Sequence, residues 1–170
     1  GNYTAYHRGY REELDRGVTN TLPRMFGFQA AGSAPLVLGH PVTNPDTIAT
    51  AIRIGNPASW ELALAARDDS DGYFGAIDDA GILAAQRLLS REVGVFVEPA
   101  SAISVAGLLE RSAAGVIPKG ATVVLTVTGH GLKDPSWALQ NPDGSTASPE
   151  VVPVDIAEIA SVLGLVKAQA

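Results

Sequence analysis

The 170-residue sequence contains no cysteine and a single methionine. The absence of cysteine excludes disulfides, thiolate nucleophiles and cysteine-ligated zinc. No apolar run approaches the roughly 18 residues needed to span a bilayer, so we expect no membrane partner. A chain without cysteine also agrees with a cytoplasmic location, which is our expectation for this protein.

Basic residues are scarce: 12 Lys and Arg stand against 18 Asp and Glu, for a net charge of −6. This balance argues against nucleic acid as a partner, because a phosphate backbone needs a dense basic surface. It still allows a small pocket for one phosphate group. With 46% hydrophobic and 18% charged residues, the sequence has the composition of a globular domain with a sizeable core.

Short β-rich runs alternate with longer helical runs along the chain. We predict helices at 3–14, 34–38, 58–67, 78–92, 101–113 and 155–163, and strands at 24–29, 73–77, 93–97 and 121–127. Segment 47–54 is predicted to be irregular or helical. The last two strands are apolar on both faces, which is typical of a parallel sheet covered by helices. The predicted fold class is therefore α/β, a doubly wound open sheet that is mainly parallel, with helices on both faces.

The composition changes near residue 140. Residues 141–153 are rich in Pro, Ser, Asp and Gly, which predicts a loop or linker. The final helix follows, with Asp155 as its cap. We therefore predict one domain at 1–140 and a linker with a C-terminal helix at 141–170.

Two glycine-containing sites could bind an anion or a small ligand. Gly1 and Asn2 precede the first helix, where free backbone N–H groups favour a phosphate, although such a pair is more often an ordinary cap. Thr128 and the glycines at 129 and 131 follow the clearest predicted strand, and ligands bind beyond the carboxyl ends of strands in open α/β sheets. A tight strand–helix turn is the alternative structural interpretation.

Other polar residues give weaker signals. Glu98 ends an apolar strand, where it could cap the next helix or line a pocket. The histidines at 7, 40 and 130 have no metal-ligand spacing, so no metal is predicted. The acidic residues between 68 and 79 fit a solvated loop with a helix cap better than a calcium site. The serines at 33, 59 and 101 lack His and Asp partners for a hydrolase triad.

In combination these segments resemble the threonine synthases. The resemblance rests on five segments in the family's order and spacing: 1–6 (Gly-Asn-Tyr-Thr-Ala-Tyr), 28–35 (Phe-Gln-Ala-Ala-Gly-Ser-Ala-Pro), 49–60 (Ala-Thr-Ala-Ile-Arg-Ile-Gly-Asn-Pro-Ala-Ser-Trp), 95–102 (Val-Phe-Val-Glu-Pro-Ala-Ser-Ala) and 128–135 (Thr-Gly-His-Gly-Leu-Lys-Asp-Pro). They span about residues 1 to 140, and the tail is less distinctive. The resemblance implies the tryptophan synthase β-like, fold-type II class of pyridoxal 5'-phosphate (PLP) enzymes.

The resemblance also implies an activity and site residues. The family converts O-phospho-L-homoserine and water to L-threonine and phosphate, a carbon–oxygen lyase reaction of threonine biosynthesis. Gly1 and Asn2 match the end of the family's Gly-Asn-Ala-Gly-Asn phosphate loop, and Asn2 could also meet the substrate phosphate. Thr128 matches the hydroxyl that bonds the pyridine nitrogen. Ala51 and Glu98 are expected to line the pocket.

The family's Schiff-base lysine lies upstream of the phosphate loop. Lys119, Lys133 and Lys167 do not match its motif. We therefore expect the chain to be the C-terminal part of such an enzyme, to have no catalytic residue of its own, and to be inactive alone. Its expected partners are the N-terminal part of the same enzyme and a second copy in a homodimer.

Two alternatives remain at the level of sequence. A threonine or serine dehydratase of the same fold type would share the strand ends and the Glu-Pro-Ala turn, although segments 51–60 and 129–135 favour the synthase. A truncated, non-catalytic module that binds a phosphorylated ligand or a partner chain is the second alternative.

Overall fold

The computed structural model describes residues 1–137, 139–140, 145–148 and 150–165. These residues form two compact units, Gly1–Pro135 and Ser136–Ala170. Within the described ranges, no helix is long and apolar enough to cross a membrane.

The first unit is built on a parallel pair of strands, β1 (Phe26–Ala30) and β2 (Tyr73–Ile77). Phe26 lies opposite Tyr73 at one end of the ladder, and Ala30 lies opposite Ile77 at the other. Both strands were predicted, β2 with its observed bounds. Because parallel strands need a crossover between them, the intervening chain carries helices across the sheet.

The described residues contain six α-helices. They are α1 (Asn2–Asp15), α2 (Pro35–Leu38), α3 (Trp60–Asp69), α4 (Asp79–Leu88), α5 (Pro99–Ala113) and α6 (Ile156–Val162). Each corresponds to a predicted helix, with ends displaced by a few residues. Thr50–Ile52 forms one turn of 3-10 helix inside the segment predicted to be irregular or helical. Asp78 caps α4 as predicted, by accepting the N–H of Gly81 at 2.7 Å.

Helices cover both faces of the strand pair, as predicted. The Tyr3 ring of α1 packs against Phe74 with 4.9 Å between ring centroids. The Arg111 guanidinium of α5 lies 4.2 Å from the centroid of the Tyr73 ring. Because successive side chains of a strand point to opposite faces, α1 and α5 lie on opposite sides of the sheet.

The core lies where α4 and α5 pack together against the sheet. Ile82, Ala85, Ala102 and Ala106 are almost fully buried there. The small residues let the helix backbones approach closely, so this interface depends on shape as well as on buried apolar area.

Two strand predictions are wrong. Val93 ends a turn of π-helix (Leu89–Val93) and is exposed, and Val97 makes only an isolated antiparallel bridge to His130. Residues 121–127 form no ladder, and several of their valines are exposed. Apolar, β-branched residues favour an extended backbone, but that backbone becomes a strand only where a neighbour pairs with its N–H and C=O groups. Among the described residues, the sheet therefore has two strands.

The second unit contains α6. Asp155 caps this helix as predicted, since its carboxylate accepts the N–H groups of Ala157 and Glu158 at 2.9 and 3.0 Å. Parts of the predicted linker, residues 141–144 and 149, lie outside the described residues, as does Lys167. The division into domains at residue 140 stays a prediction.

Substitution by alanine should have opposite effects on stability at two helical glycines, Gly9 and Gly107. Alanine should stabilise position 9 of α1 by about 0.5–1 kcal/mol, because an added Cβ meets nothing within 4 Å and glycine weakens a helix. Gly107→Ala should destabilise the protein by about 1–3 kcal/mol, because the Cβ would overlap the ring of Phe28 in a packed interface. Urea unfolding of both variants measures the two effects. A stabilised Gly107→Ala variant would contradict the described packing of α5 on β1.

Candidate functional site

One open cleft of about 1560 Å³ runs along the first unit. Its wall includes all five residues that sequence analysis assigned to a ligand or pocket: Gly1, Asn2, Ala51, Glu98 and Thr128. They come from four separate segments of the chain. The cleft is larger than the roughly 300–1,000 Å³ of a typical small-ligand pocket, so a small molecule would fill only part of it.

The N-terminal end of α1 opens onto this cleft. Gly1 occupies the N-cap position without a side-chain cap, and its carbonyl accepts the N–H of Ala5 at 3.1 Å and the hydroxyl of Thr4 at 2.9 Å. The first backbone N–H groups of a helix have no partner within the helix. A Cβ at residue 1 would meet nothing within 4 Å among the residues of this chain. The helix end therefore offers donors and a positive dipole to an anion.

A buried serine holds the turn at Thr128. The hydroxyl oxygen of Ser101, a residue only 2% exposed, accepts the N–H of Gly129 at 2.7 Å and the N–H of Thr128 at 3.1 Å. The same oxygen lies 3.1 Å from Oγ1 of Thr128. The start of α5 is thereby fastened to the turn that sequence analysis selected as a ligand-binding edge.

Glu98 is buried beside the same turn. It is 5% exposed, and its carboxylate lies 3.2 Å from Nζ of Lys133, whose side chain is mostly exposed. Of the two alternatives for Glu98, the structure favours the pocket: the residue occupies the N-cap position of α5, but its side chain makes no cap hydrogen bond, and it lines the cleft. Burying a carboxylate costs free energy unless an opposite charge pairs with it, and the ammonium group of Lys133 is close enough to do so. A Cβ at position 129 would overlap this carboxylate, so a larger residue there would displace the Glu98 side chain.

A short antiparallel contact joins the two turns. The N–H of Glu98 donates to the carbonyl of Gly129 at 3.0 Å, and the N–H of Gly131 donates to the carbonyl of Phe96 at 3.2 Å. The side-chain amide of Gln86, itself buried, donates to the carbonyl of Val97 at 2.7 Å. Three backbone groups of segment 96–98 are thus paired, which keeps Glu98 in place although no long strand forms here.

Sequence analysis missed two residues of this site. Ser101 was considered only as a nucleophile, and Lys133 only as a carrier of a cofactor. Their positions follow from the pairing of segments 96–98 and 129–131, which brings the two turns together. The sequence did contain one signal: in both segments an apolar run is followed by a turn with Pro or Gly. That pattern is typical of strand ends that meet at the ligand-binding edge of an α/β sheet.

The remaining polar candidates have structural partners. His7 pairs with Asp69 at 2.7 Å on the outside of α1. Asp79 accepts hydrogen bonds from the hydroxyl of Thr47 and the N–H of Ile48. Across the described ranges, no three His, Asp or Glu side chains are grouped so that they could hold a metal ion.

Comparison with known proteins identifies the family. A family model described as "Pyridoxal-phosphate dependent enzyme" matches residues 1–129. The threonine synthase of Mycobacterium leprae is 56% identical over 166 residues, which are 98% of this chain and 45% of that protein. The threonine synthase of Synechocystis is 56% identical over 141 residues, covering 83% of this chain and 36% of that protein. The chain thus spans less than half the length of these relatives.

Solved structures share the fold. A threonine deaminase from T.th. matches with a TM-score of 0.51 and 23% identity, covering 63% of this chain and 39% of that one. A fungal L-serine ammonia-lyase from Rhizomucor miehei matches with a TM-score of 0.52 and 23% identity, covering 69% of this chain and 39% of that one. With the family match over residues 1–129, these observations lead to one conclusion: the chain belongs to the pyridoxal-phosphate dependent enzyme family.

Proposed function

We propose that the protein containing this chain is a threonine synthase, which converts O-phospho-L-homoserine and water to L-threonine and phosphate. The observation that carries the proposal is 56% identity to a threonine synthase over 98% of the chain. The deaminase and the ammonia-lyase, at 23% identity, support the fold alone. A dehydratase is therefore the weaker alternative.

The cleft offers the two kinds of donor that PLP needs, one for its phosphate and one for its ring nitrogen. The start of α1, at Gly1 and Asn2, has N–H groups suited to the phosphate. Thr128 presents a neutral hydroxyl on the same cleft, suited to the pyridine nitrogen. We assign these three residues to cofactor binding. When bound, PLP acts as the electron sink for reactions at the substrate's α-carbon.

The chain's own residues position and tune the cofactor. A neutral hydroxyl donor at Thr128 leaves the ring nitrogen unprotonated, whereas a carboxylate partner would keep it protonated. Glu98 and Lys133 hold the turn that carries Thr128, and Ala51 lines another part of the wall. Proton transfer at the substrate carbons is assigned to the family's upstream lysine, and to none of the lysines of this chain.

The proposal extends to partners and location. A cleft wider than one small ligand leaves room for protein segments of the relatives that this chain does not span. We propose that those segments complete the cleft, that the whole enzyme is a homodimer, and that it works in the cytoplasm.

The activity test uses the complete protein encoded by the gene. With PLP bound, it should release phosphate from O-phospho-L-homoserine and form an equal amount of L-threonine, measured by phosphate assay and chromatography. L-Threonine or L-serine offered alone should give little 2-oxo acid. Steady production of the 2-oxo acid as the main product would instead establish the dehydratase alternative.

The 170-residue chain by itself should form no specific covalent link to PLP. Lys133 is paired with Glu98, and an ammonium group held in an ion pair is a poor nucleophile. Lys119 is exposed and is not among the residues that line the cleft. Borohydride reduction followed by peptide mapping should find no single lysine labelled stoichiometrically. Full labelling of Lys119 or Lys133 would contradict the assignment of that role to an upstream lysine.

Thr128→Val tests the proposed contact with the pyridine nitrogen. In the complete protein this nearly isosteric change should preserve the fold, lower turnover and shift the cofactor absorbance. The loss of one buried hydrogen bond corresponds to about 1–3 kcal/mol. Thr128→Ser, which retains the hydroxyl, is the matched control and should remain close to the wild type. Unchanged kinetics and spectrum in Thr128→Val would mean that Thr128 is only a turn residue.

A further inference from the structure

The hydrogen bonds of Ser101 determine the direction in which the Thr128 hydroxyl can donate. The Ser101 oxygen accepts two backbone N–H groups, from Gly129 at 2.7 Å and from Thr128 at 3.1 Å. A hydroxyl oxygen has two lone pairs and one proton. Both lone pairs are therefore occupied, and the proton of Ser101 must be donated elsewhere.

Within the part of the chain that the structure describes, Oγ1 of Thr128 is the acceptor within reach of that proton, at 3.1 Å. Ser101 is 2% exposed, so water has little access to its proton even though the residue borders the cleft. Without this acceptor the hydroxyl proton of Ser101 would be buried and unpaired, whereas buried polar groups in folded proteins are nearly always hydrogen-bonded. The geometry therefore makes Ser101 the donor and Thr128 the acceptor in this pair.

An acceptor hydroxyl still has its own proton to give. Thr128 is exposed on the wall of the cleft, and its proton, released from Ser101, is free to point into the cleft. If the pair were reversed, the Thr128 proton would point at Ser101, and the cleft would face only lone pairs. A lone pair would repel an unprotonated ring nitrogen, whereas a proton binds it.

We propose that Ser101 is a positioning residue that fixes Thr128 as a hydrogen-bond donor toward an unprotonated aromatic nitrogen in the cleft. This inference rests on the proposed function, because it takes the pyridine ring of the cofactor as the ligand. It adds a residue to the site and a selection rule: ligands with an acceptor nitrogen are favoured over those with a protonated one. Chained hydroxyl donors also strengthen one another, so the Thr128 proton becomes a better donor than that of an isolated threonine.

The test follows the ring nitrogen rather than turnover. The probe is pyridoxine 5'-phosphate labelled with ¹⁵N in the ring, a pyridine that needs no lysine to bind, added to the complete protein after its PLP has been removed. The variants are Ser101→Ala, Thr128→Val and the double variant. Ser104→Ala is the matched control, because Ser104 is on the same helix and donates to backbone carbonyls of Ser101 and Thr126.

Ser101→Ala should move the ring ¹⁵N resonance toward that of an unbonded pyridine and weaken binding by about three- to ten-fold, the equivalent of one neutral hydrogen bond. In the Thr128→Val background, the same change should have no further effect on the resonance, because Ser101 acts through the Thr128 hydroxyl. Ser104→Ala should leave the resonance in place. A purely structural role of Ser101 would move the signal in both backgrounds, and that result would overturn the proposal, as would an unmoved signal in Ser101→Ala.

A second measurement needs no ligand. The Thr128 side chain should occupy one rotamer in the free protein, seen in its three-bond couplings, and should average among rotamers in Ser101→Ala.

If the probe fails to bind the wild type, the proposed function fails, and the rotamer result alone decides the role of Ser101. Should Ser101→Ala not fold, Ser101→Cys replaces it, since a thiol is a weaker donor of similar size. Unchanged rotamers in either variant would overturn the inference.

Discussion

The packing of α5 against the strand pair is the constraint on which the rest of the first unit depends. Gly107 brings the helix onto the ring of Phe28, and Ala102 and Ala106 bury the neighbouring turns against α4. Once this helix is in place, its first turn has a fixed position. Glu98 and Ser101, which lie at that turn, are therefore fixed by a core interface.

The site results from the pairing of that helix start with a second turn. The hydroxyl of Ser101 and the carbonyl of Phe96 hold the backbone at Gly129 and Gly131, and the carboxylate of Glu98 occupies the space that a side chain at 129 would need. The buried hydroxyl of Ser101 and the buried carboxylate of Glu98 both have partners, so this part of the site is rigid before a ligand arrives. That rigidity suits a cofactor enzyme, in which the protein contributes position and electrostatics while the cofactor contributes the chemistry.

The two proposed binding points in the cleft carry different kinds of charge. At α1 the protein offers the partial positive charge of a helix end, which suits a phosphate and needs no lysine or arginine. At Thr128 it offers a neutral hydroxyl. The full charges of Glu98 and Lys133, beside that turn, neutralise each other at 3.2 Å. A net charge of −6 is thus compatible with an anionic ligand, because local dipoles rather than net charge determine binding.

The sequence by itself determined the helices, β2 and most of β1, and it selected the motif residues that are proposed for the site. Helix ends could be predicted because their signals are local: they are set by cap residues such as Asp78 and Asp155, and by glycines in the left-handed conformation. Tertiary structure alone decided that residues 93–97 and 121–127 are not strands, because strand formation depends on a pairing partner that is distant in sequence. It also decided the partners of Glu98 and Ser101, since both depend on contacts across about thirty residues of chain, which no local pattern encodes.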